Sequence, residues 1–261
     1  MNLEEYNREL TLTEQQNNVE VDMYFYIYQL IKEQTNLNNL SLRAVFNRQS
    51  RGLGSIFYGI SGAPDIAILK SFFDNSNNEA RNSDNLNEVC GCVEIKKIGS
   101  KLIPSLTRTL TNIKDNVDAQ AKNVDLIDVN LKSKFTEKEI SQLLGEILWY
   151  RKVLYTNGTE WKYFELVSAK DSNIIDKDYL DNVREFVDNE FRLYLDKSKD
   201  QKKILNSTLF ARLSSAVDYF IKDVIIKEKE IITNIDVNKI SDNQWAELME
   251  NLSGIKWNKE M

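Results

Sequence analysis

VCGCVEIKK, residues 89–97, is the stretch on which the fold of this chain turns. An apolar, strand-like run ends there in Glu94-Ile95-Lys96. Glu94 and Lys96 are two apart, so a strand sends both side chains to one side and Lys97 to the other. Upstream, GAPD at residues 62–65 opens a second apolar run, IAIL. Two strands that each place charge at one edge of a sheet bring Asp65, Glu94 and Lys96 together. Two carboxylates and an ammonium at one point suit the holding of a divalent metal against a phosphate.

Outward from this stretch, the two cysteines come first. Cys90 and Cys92 flank a single glycine inside the strand, and a disulfide across so short a loop would be strained, so they read as buried free thiols. The chain has no histidine, which removes the commonest transition-metal ligand and general base. Zinc enzymes and Ser-His-Asp hydrolases are therefore disfavoured. With 261 residues and 42% hydrophobic content, one large domain or a core domain with an appendage can bury a sizeable core. A net charge of −6 argues against coating nucleic acid by bulk charge but leaves room for a locally basic groove. The N-terminus is polar and acidic, unlike a signal peptide, and no apolar run can span a bilayer. The expectation is a cytoplasmic protein with no membrane contact.

Periodicity orders the rest. Thr13 with Gln16 predicts a capping box, and a helix over residues 14–34 with Val19, Met23, Tyr26, Ile27, Leu30 and Ile31 facing the core. Glu20 and Glu33 lie on it. LSLRAVF, residues 40–46, predicts a strand. Arg43, Arg48 and Arg51 lie in an acid-free segment, and the last two sit among Gly52, Gly54, Gly59 and Gly62, a pattern suited to a phosphate backbone. Residues 64–73 and 88–96 predict a long hairpin of two strands. Residues 95–114 hold Lys96, Lys97, Lys101, Arg108 and Lys114 and no acid, making a second positive segment.

Thr136 with Glu139 predicts the cap of a helix reaching residue 151, with Gln142 and Glu146 four apart on one face. Residues 152–155 and 160–167 predict a second hairpin around Thr156-Asn157-Gly158-Thr159, with Asn-Gly as a type I′ pair. Beyond residue 170 the pattern turns helical: Leu180, Val183, Val187 and Phe191, then Leu205 through Val224, then a last helix capped by Ser241 with Gln244. The expected organisation is a domain at 1–170 and a helical extension at 171–261 for packing, dimerisation or control.

In order, Pro64-Asp65, Glu94-Ile95-Lys96, a helix with Gln142, and Thr156-Asn157-Gly158 with Trp161 resemble the PD-(D/E)XK nuclease superfamily. The likeness runs over residues 14–168 and is greatest to the N-terminal nuclease domain of type I restriction subunits. It implies an α/β fold, the restriction-endonuclease-like central mixed sheet flanked by helices. It implies Mg²⁺-dependent cleavage of DNA, with Mn²⁺ as a substitute and RNA left open, in restriction or defence. Asp65 and Glu94 would bind metal with the Ile95 carbonyl. Lys96 would assist the water. Gln142 and a helix glutamate, Glu20 with Glu33 as the alternative, would complete the site. Arg43, Arg48, Arg51, Lys97 and Lys101 would contact the nucleic acid. The segment between Lys96 and the Gln142 helix is long for this pattern. The rivals are a silent nuclease-fold binding module and a ligand-activated dimer joined through the C-terminal helices.

Overall fold

A computed structural model of the chain describes residues 1–35, 39–45, 63–71, 89–108, 137–168, 224–233 and 239–257. Among the described residues six strands, β1 Leu40–Ala44, β2 Ile66–Lys70, β3 Val89–Ile95, β4 Lys152–Thr156, β5 Trp161–Ser168 and β6 Val224–Ile232, form one sheet in sequence order. Neighbours run antiparallel except β3 and β4, which are parallel. A parallel pair needs a crossover, and here it includes helix α3, Glu137–Tyr150. The fold is thus mixed α/β, as expected, and β2 and β3 form the anticipated antiparallel pair with Ile66 opposite Val93.

The first helical segment differs from expectation. Two helices, α1 Leu3–Gln16 and α2 Glu20–Gln34, replace the single helix over 14–34. The starting cap is Asn2, which exchanges hydrogen bonds with Glu5, and Thr13 is buried in the last turn of α1 instead of opening a helix. The Asn17 and Asn18 amides both donate to the Thr13 carbonyl, and Asn18 takes a φ of 44°. Asparagine tolerates the left-handed region, so the pair ends one helix and redirects the chain into the next.

The hairpin turn also differs. Gly158 has positive φ but Asn157 does not, so the turn is not type I′, which requires both. It is a loop over residues 157–160 in which Asn157 Oδ1 accepts from the Thr159 amide at 3.0 Å, the Glu160 amide at 2.7 Å and the Thr159 hydroxyl at 3.1 Å. A Cβ on Gly158 would lie 2.7 Å from both Leu10 and Met23, so the loop packs tightly on α1 and α2. The Tyr6 hydroxyl donates to the Gly158 carbonyl at 2.7 Å.

The C-terminal part needs correction too. The helical stripe expected to reach Val224 gives way to β6 at residues 224–232; its members at 205–221, and the separate stripe at 180–191, lie outside the described residues. β-branched residues at 224–226 and 231–232 favour a strand, and Lys227, Glu228, Lys229 and Glu230 between them pair across β5. The last helix, α4 Asp242–Gly254, starts at the expected Ser241–Gln244 capping box. It does not stand apart from the sheet. Leu248, Leu252 and Trp257 share one core with Tyr6, Ile27, Val93 and Trp161.

Strand alternation divides the sheet into two faces. Ile66, Ile68, Val93, Ile95, Leu154, Trp161 and Tyr163 pack with α1, α2 and α4. Cys92, Glu94, Tyr155 and Phe164 fall on the opposite face, where α3 packs on β3, β4 and β5 and buries Leu143 and Ile147. Both cysteines are buried free thiols. Among the described residues, no helix is long and apolar enough to cross a membrane.

Candidate active site

Asp65 immediately precedes β2, and Glu94 lies near the end of β3. Antiparallel pairing puts those two points at the same end of the sheet. The parallel neighbour β4 ends there as well, and the Lys96 amide donates to the Thr156 carbonyl at 2.7 Å. Chain direction therefore gathers residues 65, 94 and 96 at one corner.

The corner is closely bonded. Asp65 Oδ2 accepts from the Ile95 amide at 2.8 Å, and Oδ1 accepts from the Tyr24 hydroxyl. Glu94 Oε1 accepts from Lys96 Nζ at 2.6 Å and from Gln142 Nε2 at 2.8 Å. Gln142 Nε2 also donates to Glu146 Oε1 at 3.0 Å. Asp65, Glu94, Lys96 and Glu146 are all buried, with Glu146 only 1% exposed. Glu94 Oε2 and Glu146 Oε2 are buried with no hydrogen-bond donor.

The electrostatics follow from burial. Desolvation, then the Glu146 and Asp65 carboxylates, push Glu94 well above the usual carboxylate range against the pull of Lys96. Desolvation likewise raises Glu146, against the pull of Lys96 and Gln142. Burial alone would lower the Lys96 pKa, but the Glu94 ion pair outweighs it and holds the ammonium protonated. Burial and the same carboxylates keep Cys92 a thiol. Three buried carboxylates thus face one ammonium. So much unbalanced charge is costly in a low dielectric and calls for protons or a cation.

The two helix glutamates separate clearly. Glu20 is half-buried near Lys96, Asp65 and the Lys97 backbone, and is raised chiefly by burial. Glu33 lies thirteen residues along α2, roughly 20 Å away at the helical rise. It is occupied by Gln29 and the N-terminal ammonium of Met1. Glu20 therefore joins the corner and Glu33 does not.

Of the expected nucleic-acid contacts, Arg43, Lys97 and Lys101 are exposed, while Arg48 and Arg51 lie outside the described residues. Arg43 bonds the Leu42 carbonyl at 2.7 Å on β1, whose end meets Asp65 through the Val45 amide. Lys97 and Lys101 ride on a segment anchored by Asn157 Nδ2 to the Ser100 carbonyl at 2.7 Å and by Lys162 Nζ to the Pro104 carbonyl at 3.0 Å.

Two residues that the sequence did not assign to the site join it, Tyr24 and Glu146, the latter already expected on one face with Gln142. Each follows an expected site residue by four positions on a helix, Tyr24 after Glu20 and Glu146 after Gln142, and that spacing is the signal that finds them. Among the described residues, no group of three or more acidic or cysteine side chains is disposed to ligate a single metal ion. The chain matches no protein-family model, and comparison with curated proteins and with solved structures gives no significant match.

Proposed function

We propose that the chain is a metal-dependent nuclease that hydrolyses phosphodiester bonds of DNA in restriction or defence, built on a restriction-endonuclease-like sheet. The observation that carries this reading is the excess of buried carboxylate over ammonium at the corner of Asp65, Glu94 and Lys96, with a carboxylate oxygen of Glu94 lacking any donor. Mg²⁺ takes one or two carboxylates and keeps several waters, so the pair Asp65 and Glu94 with the Ile95 carbonyl fits it without a third acid. Mn²⁺ would serve the same ligands.

A bound Mg²⁺ would supply charge to the phosphate oxygens and acidify a water. The chain's own residues do the rest. Lys96, held protonated, orients that water and balances charge that develops on the phosphoryl group. Gln142 and Lys96 together fix Glu94 Oε1. Tyr24 and the Ile95 amide fix the two oxygens of Asp65. Glu20 adds a carboxylate at the rim. Arg43, Lys97 and Lys101 hold flanking phosphates, an electrostatic contribution that salt would weaken.

A second reading is favoured by the donors already seated on Asp65 and on Glu94 Oε1. On it, the corner is a closed structural cluster in a nuclease-fold module that binds nucleic acid or a protein without cutting. Supercoiled plasmid DNA incubated with Mg²⁺ or Mn²⁺ separates the two. The nuclease reading expects nicking or linearisation that Asp65→Ala and Lys96→Ala abolish. Cleavage surviving Lys96→Ala, or no cleavage of any DNA by the intact chain, sinks it.

A further inference from the structure

We infer that Glu146 is a positioning residue, which fixes the orientation of the Gln142 amide and through it the carboxylate of Glu94. The consequence for cleavage rests on the nuclease reading; the geometry does not.

A glutamine amide ends in two N–H donors on one side and a carbonyl acceptor on the other, and it can turn half a revolution to exchange them. Gln142 Nε2 donates to Glu94 Oε1 and to Glu146 Oε1, at 2.8 and 3.0 Å. Two acceptors thus engage the same nitrogen. A turned amide would set its carbonyl oxygen against two carboxylates. With Glu146 in place only one orientation is tolerable. Without it, one of the two carboxylates that hold this nitrogen is gone.

Helix geometry makes this possible. Glu146 follows Gln142 by four positions on α3, one turn along the same face, so its carboxylate rises beside the amide. Burial makes it stringent. Glu146 is 1% exposed and Glu94 3%, so in the native chain water does not compete for these bonds. Glu94 Oε1 also receives Lys96 Nζ at 2.6 Å, so the amide and the ammonium converge on one oxygen and define how the carboxylate is turned. Glu94 Oε2 has no donor, and Glu146 decides which way it faces by holding the partner of Oε1.

Side-chain NMR of protein labelled with ¹⁵N-glutamine tests the geometry directly. The Gln142 amide pair is identified by its disappearance in Gln142→Leu. It should exchange slowly with solvent in the native chain. Glu146→Gln keeps an acceptor oxygen and should preserve that protection, whereas Glu146→Ala should lose it while melting remains cooperative. Unchanged protection in Glu146→Ala overturns the inference. So does loss in both variants, which would mean that the charge and not the acceptor matters.

Plasmid cleavage tests the consequence. Glu146→Ala should lower kcat by about 10–100-fold with KM for DNA little changed, the usual effect of removing a residue that orients a ligand. Combined with Gln142→Leu it should be no worse than either alone. Additive losses overturn the route through Gln142. A native chain that cuts nothing defeats the nuclease reading, while the amide resonances still decide the role of Glu146.

Discussion

The Tyr24 hydroxyl donates to Asp65 Oδ1, joining α2 to the residue that opens β2. Tyr24 stands one turn after Glu20, so a single face of α2 serves the corner twice. Asp65 has its other oxygen on the Ile95 amide. Its orientation is therefore set from two elements far apart in sequence.

Tyr24→Phe removes that donor and little else. Hydrogen bonds to charged groups are worth about 1.5–3 kcal/mol, and the variant should lose stability in that range by urea unfolding. A loss below about 0.5 kcal/mol would show that the bond does not hold Asp65.

The Glu94–Lys96 pair is buried on both sides. Removing one partner of a buried ion pair costs about 3–5 kcal/mol because the other charge is stranded. Lys96→Met should therefore be strongly destabilising. Adding Glu94→Gln should recover part of that loss, giving a coupling of about 1–3 kcal/mol in a double-mutant cycle read by thermal or urea unfolding. Simple additivity would mean that the pair is not formed in solution.

The carboxylates set a pH dependence. Glu94, Glu146 and Glu20 are all raised in the folded chain, chiefly by burial. The native state then binds more protons than the unfolded state, so stability falls as pH rises. The contribution is complete below the ordinary carboxylate range and disappears as pH climbs through the raised values. In metal chelator the melting temperature should drop between about pH 5 and about pH 8. Millimolar Mg²⁺ should flatten that slope if a cation replaces the protons. A melting temperature that rises over the same interval in chelator would contradict the assignment.

Gly91 links the strand of the site to the C-terminal end of the described chain. A Cβ there would lie 2.4 Å from the Trp257 ring. Gly91→Ala should destabilise by about 1–3 kcal/mol through overpacking. Trp257→Leu in the same chain should relieve most of that penalty, measured by the shift in denaturation midpoint. No relief would mean that Trp257 does not cover β3 in solution.

Much of this arrangement was legible in the residues themselves. Apolar runs ending in charge identify β2 and β3 because their period and composition are local properties. The Ser241–Gln244 box marks the last helix for the same reason. Helix spacing already put Glu146 beside Gln142. What escaped was competition between local options. Asn17 and Asn18 could continue a helix or end one, and residues 224–232 could follow a helical stripe or pair with β5. Contacts with Gly158 and with the open side of β5 settle those choices, and neither contact is local.

The sequence by itself determined the kinds of group available. There are carboxylates and lysines at strand ends, no histidine, and two thiols within a strand. Only the tertiary structure decided which of them meet. Glu20 joins Asp65 and Lys96 while Glu33, on the same helix, pairs with Gln29 and the chain's first residue. Tyr24 and Glu146 enter because helices cross the sheet end at the right turn. The physical reason is range. Periodicity and capping act over three or four residues, whereas an unbalanced buried charge depends on every group within several ångströms, whatever its place in the chain.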